Sequence, residues 1–380
     1  MIFVNKPFTP PYEVVERKGL GHPDTLADGI SEAISRSLCR HYLEESGQIL
    51  HHNVDKVLII AGQSAPLFGG GSILKPPSVV VGGRASRLQN KPLPQIIEDA
   101  AASHLRETVK HLEQFHVEPR LEQGAPELQS LIGRGANDTS IGVGYAPISR
   151  TERLVLDLEN VVQEVRGTGE DIKLMAVRRG GRISLVVAVA MVSRFIGSRQ
   201  EYEEAKLAVR QAVERKAESW FEKEPREERY GAESGSVEVH VNCADAGENI
   251  YLTVSGCSLE MGDDGATGRG NRGNGLITPM RPMTMEAIAG KNPVSHVGKI
   301  YNILSHKIAR DVYKEVSGVD EVYVWLCSQI GKPIDQPLIC SLQLVGDKQI
   351  EAKAKKIADE HLQNIEKITK MCIEGRAMTF

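Results

Sequence analysis

Apolar residues recur at helical spacing early in the chain. From Pro23, Leu26, Ile30, Ile34, Leu38 and Tyr42 fall on one face, and Gly47 follows as a stop. This predicts a helix with Glu16, His22 and Asp24 in a glycine-flanked loop at its N-terminus. Such a terminus offers free backbone N–H groups and partial positive charge. The same periodicity predicts helices over 95–115, 152–165, 201–222, 297–316 and 351–369. Short apolar or alternating runs predict strands at 2–5, 56–61, 78–81, 237–242, 251–254, 321–327 and 338–344, with another ending at Tyr145. Two runs, 171–177 and 182–192, read as a hairpin turned at Arg179-Gly180-Gly181. Gly69 to Gly71 is a break that suits a bend or lid. Residues 122–138 read as loop, and the charged run KEPREERYGAESGS as a solvated connection. Helices set between strand pairs indicate an α+β fold rather than a series of βαβ units.

Length and charge narrow the classes. The chain has 380 residues, 41% of them hydrophobic, which suits about two or three domains with real cores. A net charge of −4 gives no global attraction to nucleic acid or an anionic membrane, so neither is expected as a partner. The six cysteines are scattered without a CxxC pair, which argues against zinc and a disulfide framework and fits a reducing cytoplasm. The N-terminus lacks a signal peptide's apolar region, and no run reaches the roughly 18 apolar residues of a membrane span. No P-loop, dinucleotide fingerprint or nucleophile elbow is present.

The densest chemistry lies in 261–299, MGDDGATGRGNRGNGLITPMRPMTMEAIAGKNPVSHVGK. Asp263, Asp264, Arg269, Arg272, Lys291, His296 and Lys299 sit there on a backbone broken by glycine and proline. Carboxylates hold a hard cation through oxygen, and cations hold phosphate. The stretch therefore reads as a loop that wraps a metal–polyphosphate; a solvated surface loop is the plain alternative. Three smaller clusters accompany it: Glu16, Lys18, His22, Asp24 and Asp28; Gln123, Asn137 and Asp138; and Asp171 with Lys173. The last two residues alternate at strand period and share a face, so a surface ion pair would also explain them. Turn formation equally explains Asn137-Asp138. His51, His52, Asn53 and Asp55 have no usual zinc spacing.

Six motifs in order, GHPDTLADGIS, NDTSIGVGYAP, GEDIK, GDDGATGRGNR, LITPMRPM and GKNPVSHVGKIYN, resemble methionine adenosyltransferase (S-adenosylmethionine synthetase) of the archaeal branch. The resemblance runs from Glu13 to Phe380. It implies three similar ββ-α-type domains with pseudo-threefold symmetry, interleaved in sequence: 16–125; 1–15 with 140–260; and 275–380, with 261–299 as the phosphate and metal loop region. It implies a homodimer with active sites between subunits, ATP and L-methionine as substrates, and Mg2+, two ions per site; a K+ site stays open. His22 of GHPD matches the catalytic histidine, hydrogen-bonded to the departing O5′. Asp24 and Asp263 or Asp264 match metal ligands, and Glu16 lies near ATP or its metal. Lys173 of GEDIK and Arg269 of GRGNR match phosphate-binding cations, with Asp171 beside the nucleotide. Lys291 of GKNP matches the phosphate-loop lysine, with His296 and Lys299 as additions. Gln123 and Asp138 match positions near the methionine and nucleoside pocket. The sequence departs from the bacterial and eukaryotic branch at Thr25, where GHPDK has lysine, at PMTMEAIAGKNP in place of a glycine-rich loop, and at Gln63, where a methionine-binding glutamate is expected. A Mg2+-dependent triphosphatase and a non-catalytic homologue are the competing readings.

Overall fold

A computed structural model describes residues 2–5, 10–126, 135–223, 236–346 and 350–380. Residues 224–235 of the charged connection and part of the expected 122–138 loop lie outside the described residues. The fold is mixed α+β, with seven helices among the described residues and three sheets, each backed by its own apolar core.

The first sheet has the strand order β13-β3-β6-β7, from Gly265–Ala266, His52–Ile60, Ser78–Ala85 and His116–Glu122. Helices α1 (Pro23–Ser46) and α2 (Leu93–Thr108) cover it through Leu26, Ile30, Ile34, Leu38, Ile96 and Leu105. The second sheet runs β11-β10-β9-β2, from Ser236–Val241, Arg182–Val192, Thr168–Arg179 and Tyr12–Lys18, with β12 (Leu252–Thr253) beside β10. Helices α3 (Arg150–Gln163) and α4 (Arg199–Lys223) back it. The third runs β1-β15-β14-β8, from Ile2–Asn5, Ile339–Gly346, Val319–Cys327 and Ile141–Ala146. Helices α5 (Val297–Glu315), α6 (Glu351–Gln363) and α7 (Glu366–Ile373) back that one. Strands β4 (Gln63–Leu67) and β5 (Gly70–Lys75) form a separate hairpin, so the Gly69–Gly71 break is its turn.

Several elements differ from expectation for local reasons. Glu16 lies in strand β2, not in a loop. Strand β7 was unexpected because Pro119 interrupts its pattern; it is tolerated because β7 is an edge strand paired in parallel with β6. Helix α2 stops at Thr108, where Val109 turns extended. The final helix breaks into two at Asn364. Strands β1 and β8 pair in the third sheet, with β15 and β14, whereas the expected sequence blocks placed 1–15 and 140–260 together.

Helix α1 is buried on two sides. His22 caps it by accepting from the Asp24 N–H, and Gly47 closes it in the left-handed region at φ 70°. Its apolar face meets its own sheet. A polar stripe at Asp24, Asp28, Ser31, Glu32 and Ser35 recurs at helical spacing and is buried against 265–291. Glu32 accepts from the Gly290 N–H at 3.0 Å and takes Lys299 Nζ on both oxygens, at 2.8 and 2.6 Å. Lys299 is 0% exposed, so this ammonium ties α5 to α1; the expectation that it binds ATP is corrected.

Two consequences are measurable. Lys299→Met leaves Glu32 charged and unpaired in the interior, so urea unfolding should show a loss of about 3–5 kcal/mol, and Glu32→Leu in the same chain should recover part of it. Burial holds His52 and His296 down to about 3, and His104 and His306 to about 4. Unfolded, each takes its proton near 6.5. Their contribution is complete above about pH 6.5 and drains away as pH falls toward about 4, by up to about 1.4 kcal/mol per unit for each group. Asp28, raised to about 7 by burial, opposes this with one proton. A urea midpoint that stays level from pH 6.5 to 4.5 would contradict the assignment.

Candidate functional site

The N-terminus of α1 meets the returning segment 263–269 and strands β2 and β9. Asp24 is 8% exposed; its Oδ1 accepts from the Ala266 N–H at 2.9 Å, and its Oδ2 from Lys18 Nζ at 2.7 Å. Lys18 Nζ also donates to the Arg269 carbonyl at 3.0 Å and lies 4.0 Å from Glu16. Glu16 in turn pairs with Lys173 across β2 and β9 at 3.6 Å. His22 Nε2 stands 4.0 Å from the Asp263 carboxylate, which is 56% exposed. Glu16, His22, Asp24, Lys173 and Asp263 are thus linked through their side chains and Arg269 through its backbone carbonyl, with Lys18 at the hub. The Lys18 backbone is held by Asn271, whose side chain accepts from its N–H at 3.0 Å and donates to its carbonyl at 2.7 Å, and by the Thr25 hydroxyl, which donates to the same carbonyl at 3.1 Å.

His22 is held neutral. Burial lowers its pKa below the ordinary histidine value and Lys18 adds to this, while Asp171, Asp24 and Asp263 oppose. The Asp24 N–H donates to Nδ1 at 3.2 Å, so hydrogen bonding assigns the ring's one proton to Nε2, on the side of Asp263. Asp171 lies behind the cluster and accepts from Tyr251 Oη at 3.0 Å and from the Ser258 N–H and hydroxyl at 2.8 and 2.5 Å. The expected Asp171–Lys173 surface pair is replaced by these two separate sets of partners.

Lys291 belongs to a cleft of about 910 Å³ between the first and third sheets. Asp55, Arg269, Glu286, Lys291, Met285 and Trp325 are among its walls. Lys291 Nζ donates to Asp55 at 2.6 Å and lies 3.5 Å from Glu286. Burial would raise the Asp55 pKa, but Lys291 and Lys56 bring it below the usual value. Arg269 is exposed and lines this cleft, while its carbonyl holds Lys18. Segment 263–269 is therefore the bridge between the His22 cluster and the Lys291 cleft.

The remaining candidates stand apart. Asp264 accepts from the Ala61 N–H at 2.7 Å, at the end of β3. His296 is buried and caps α5 by accepting from the Gly298 N–H at 3.2 Å. Asp138 is exposed and accepts from its neighbour's Thr139 N–H, and Gln123 is exposed just past β7. Glu32 is absent from the sequence reading, and Lys18, Asp28 and Asp55 appear in it without the partners they have here. For Asp28 and Glu32 the signal was present as a polar stripe at helical spacing; for Asp55, 236 residues from Lys291, there was none.

Among the described residues no group of three or more His, Cys, Asp or Glu is arranged to hold a metal alone. Asp24 and Asp263 offer a donor set of oxygen only. That suits Mg2+, which takes one or two carboxylates and fills its shell from water and phosphate.

A family model described as S-adenosylmethionine synthetase (AdoMet synthetase) matches residues 5–376. The S-adenosylmethionine synthase of Pyrococcus furiosus is 46% identical, over 97% of this chain and 95% of its own. That of Methanocaldococcus jannaschii is 44% identical, over 97% and 96%. A solved structure titled as an unusual S-adenosylmethionine synthetase from Campylobacter jejuni shares the fold, with TM-score 0.59 and 16% identity over 97% of this chain and 94% of that one. The motifs, the near-complete match and the convergence of their charged residues lead to one conclusion: the chain belongs to the S-adenosylmethionine synthetase family and is a methionine adenosyltransferase.

Proposed function

We propose that the methionine sulfur attacks C5′ of ATP at this site and displaces the whole triphosphate. The S–C5′ bond forms as C5′–O5′ breaks, and the bonding pair leaves on O5′. Water then cleaves the bound triphosphate to pyrophosphate and phosphate. A thioether carries no proton, so the attack needs no general base. The barrier lies in a polyanionic leaving group, and catalysis is electrostatic and positional.

The observation that carries this reading is the meeting of His22 and Asp24 with Lys173, Asp263 and Arg269 around Lys18. His22 donates from Nε2 to O5′ as charge develops there. Lys18, Lys173, Arg269 and Lys291 hold the phosphates. Asp24 and Asp263 are the residues that would hold Mg2+, two ions per site, which supplies Lewis-acid neutralisation of phosphate charge. No residue is assigned to K+. Glu16 and Asp171 set the cations and His22 in place, and Gln123 and Asp138, which stand apart from this cluster, are assigned to the methionine and nucleoside site by their motif positions alone.

The homodimer is part of the same proposal, with each active site completed between subunits. Its support is the apolar surface on open sheet faces, where Leu58, Ile60, Ile141 and Val186 are each 40–44% exposed. The three sheet-and-helix units are taken as similar domains related by pseudo-threefold symmetry, approximately 16–125, 140–260 and 275–380, which exchange strands β1, β2 and β8. The scattered cysteines, with no CxxC pair, support a reducing cytoplasmic setting, and no described helix is long and apolar enough to cross a membrane.

The full-length protein with ATP, Mg2+ and methionine should yield S-adenosylmethionine, pyrophosphate and phosphate. ATP turnover at the same rate without methionine would assign a hydrolase instead. His22→Asn preserves an N-cap acceptor and removes the ring donor, so kcat should fall by roughly 100-fold or more with little change in Tm. Because the neutral ring is the active form, His22 should give the wild-type kcat no inflection at or above pH 6.5. An inflection there that disappears in His22→Asn would remove this role.

A further inference from the structure

We propose that Asp28 is a positioning residue for the reaction, holding the turn 268–270 from helix α1 so that Arg269 is aimed at the triphosphate. The proposal rests on the reading of Arg269 as a phosphate ligand. Asp28 is 3% exposed and lies one helical turn beyond Asp24. Its Oδ1 accepts from the Gly268 N–H at 2.8 Å. Arg272 grips the same turn from the other side: its Nη2 donates to the Gly268 and Gly270 carbonyls at 2.7 and 2.8 Å. The carbonyl between them, that of Arg269, accepts from Lys18 Nζ. Four backbone polar groups of three residues are therefore committed, while the Arg269 side chain is left exposed along the cleft.

Two features separate this from ordinary loop packing. Asp28 Oδ2 is buried with no hydrogen-bond partner, a costly arrangement for a residue that only fills space. A Cβ on Gly270 would stand 2.8 Å from that oxygen, so any larger residue there must push the turn and the carboxylate apart. Gly268 itself sits in the left-handed region at φ 85°. Asp28 and Asp24 share one rigid helix. The direction of Arg269 is thus indexed to the same element that carries Asp24 and His22, and a small error in that direction would be felt at the phosphates.

The test uses the full chain, with inorganic triphosphate and Mg2+ as the probe. Asp28→Ala should weaken triphosphate binding and raise KM for ATP by roughly ten-fold, the scale of one lost buried hydrogen bond, while KM for methionine stays within about two-fold. Asp28→Asn, which keeps an oxygen for the Gly268 N–H, should recover most of the loss. Added to Arg269→Ala, Asp28→Ala should have no further effect, because it acts through that side chain. If Asp28→Ala does not fold, Gly270→Ala displaces the same turn and should give the same phosphate-selective loss. Equal losses for ATP and methionine that follow a fall in Tm, or additivity with Arg269→Ala, would overturn the proposal. If Arg269→Ala weakens triphosphate binding and the Asp28 and Gly270 variants do not, the positioning role alone fails. If Arg269→Ala itself binds triphosphate normally, the phosphate reading of Arg269 fails first.

Discussion

Helix α1 must satisfy two different surfaces at once. Its Leu26, Ile30, Ile34 and Leu38 face bury against the first sheet, as an amphipathic helix does. Its opposite stripe, Asp24 to Ser35, is polar and also buried, because the irregular segment 265–291 lies on it. Beyond the two residues of β13 this segment has few ladder partners, and its backbone groups must be satisfied where water is excluded. The stripe supplies the acceptors: Asp24 for Ala266, Asp28 for Gly268 and Glu32 for Gly290. Take away that stripe and the loop has neither a reason to be buried nor a fixed path.

This arrangement places the proposed catalytic groups on a rigid support. His22 caps α1 and Asp24 is in its first turn, so their positions are set by the helix. Arg269 and Lys291 come from a loop, yet each follows directly after a backbone N–H held by α1, that of Gly268 or Gly290. Charges are kept in balance by the same economy. Lys18 offsets Asp24, Asp55 offsets Lys291 and Glu32 offsets Lys299. Preorganised charge of this kind favours a transition state in which a polyanion departs, since little has to reorient as the bond breaks.

The buried histidines divide by role. His22 and His296 have the same local geometry, each capping a helix through Nδ1. His22 stands beside exposed Asp263 at the cluster, whereas His296 is closed in behind the Lys291 loop. Equal local chemistry therefore ends in different surroundings, and the difference comes from what the rest of the chain brings to each ring.

Helix α1 and its stop, the β9–β10 hairpin and helix α5 were legible in the sequence, because each depends on periodicity and on residues close in the chain. The family motifs were legible too, since they are short and ordered. Strand β7 was hidden by Pro119, whose tolerance depends on being at a sheet edge. Lys299 could not be distinguished from Lys291 by composition; only the fold decides that one ammonium meets Glu32 in the interior and the other borders a cleft. The sequence by itself determined the periodic elements and which chemical groups exist. The tertiary structure alone decided which of those groups are spent on one another, because pairing across hundreds of residues depends on where each backbone finally lies in space.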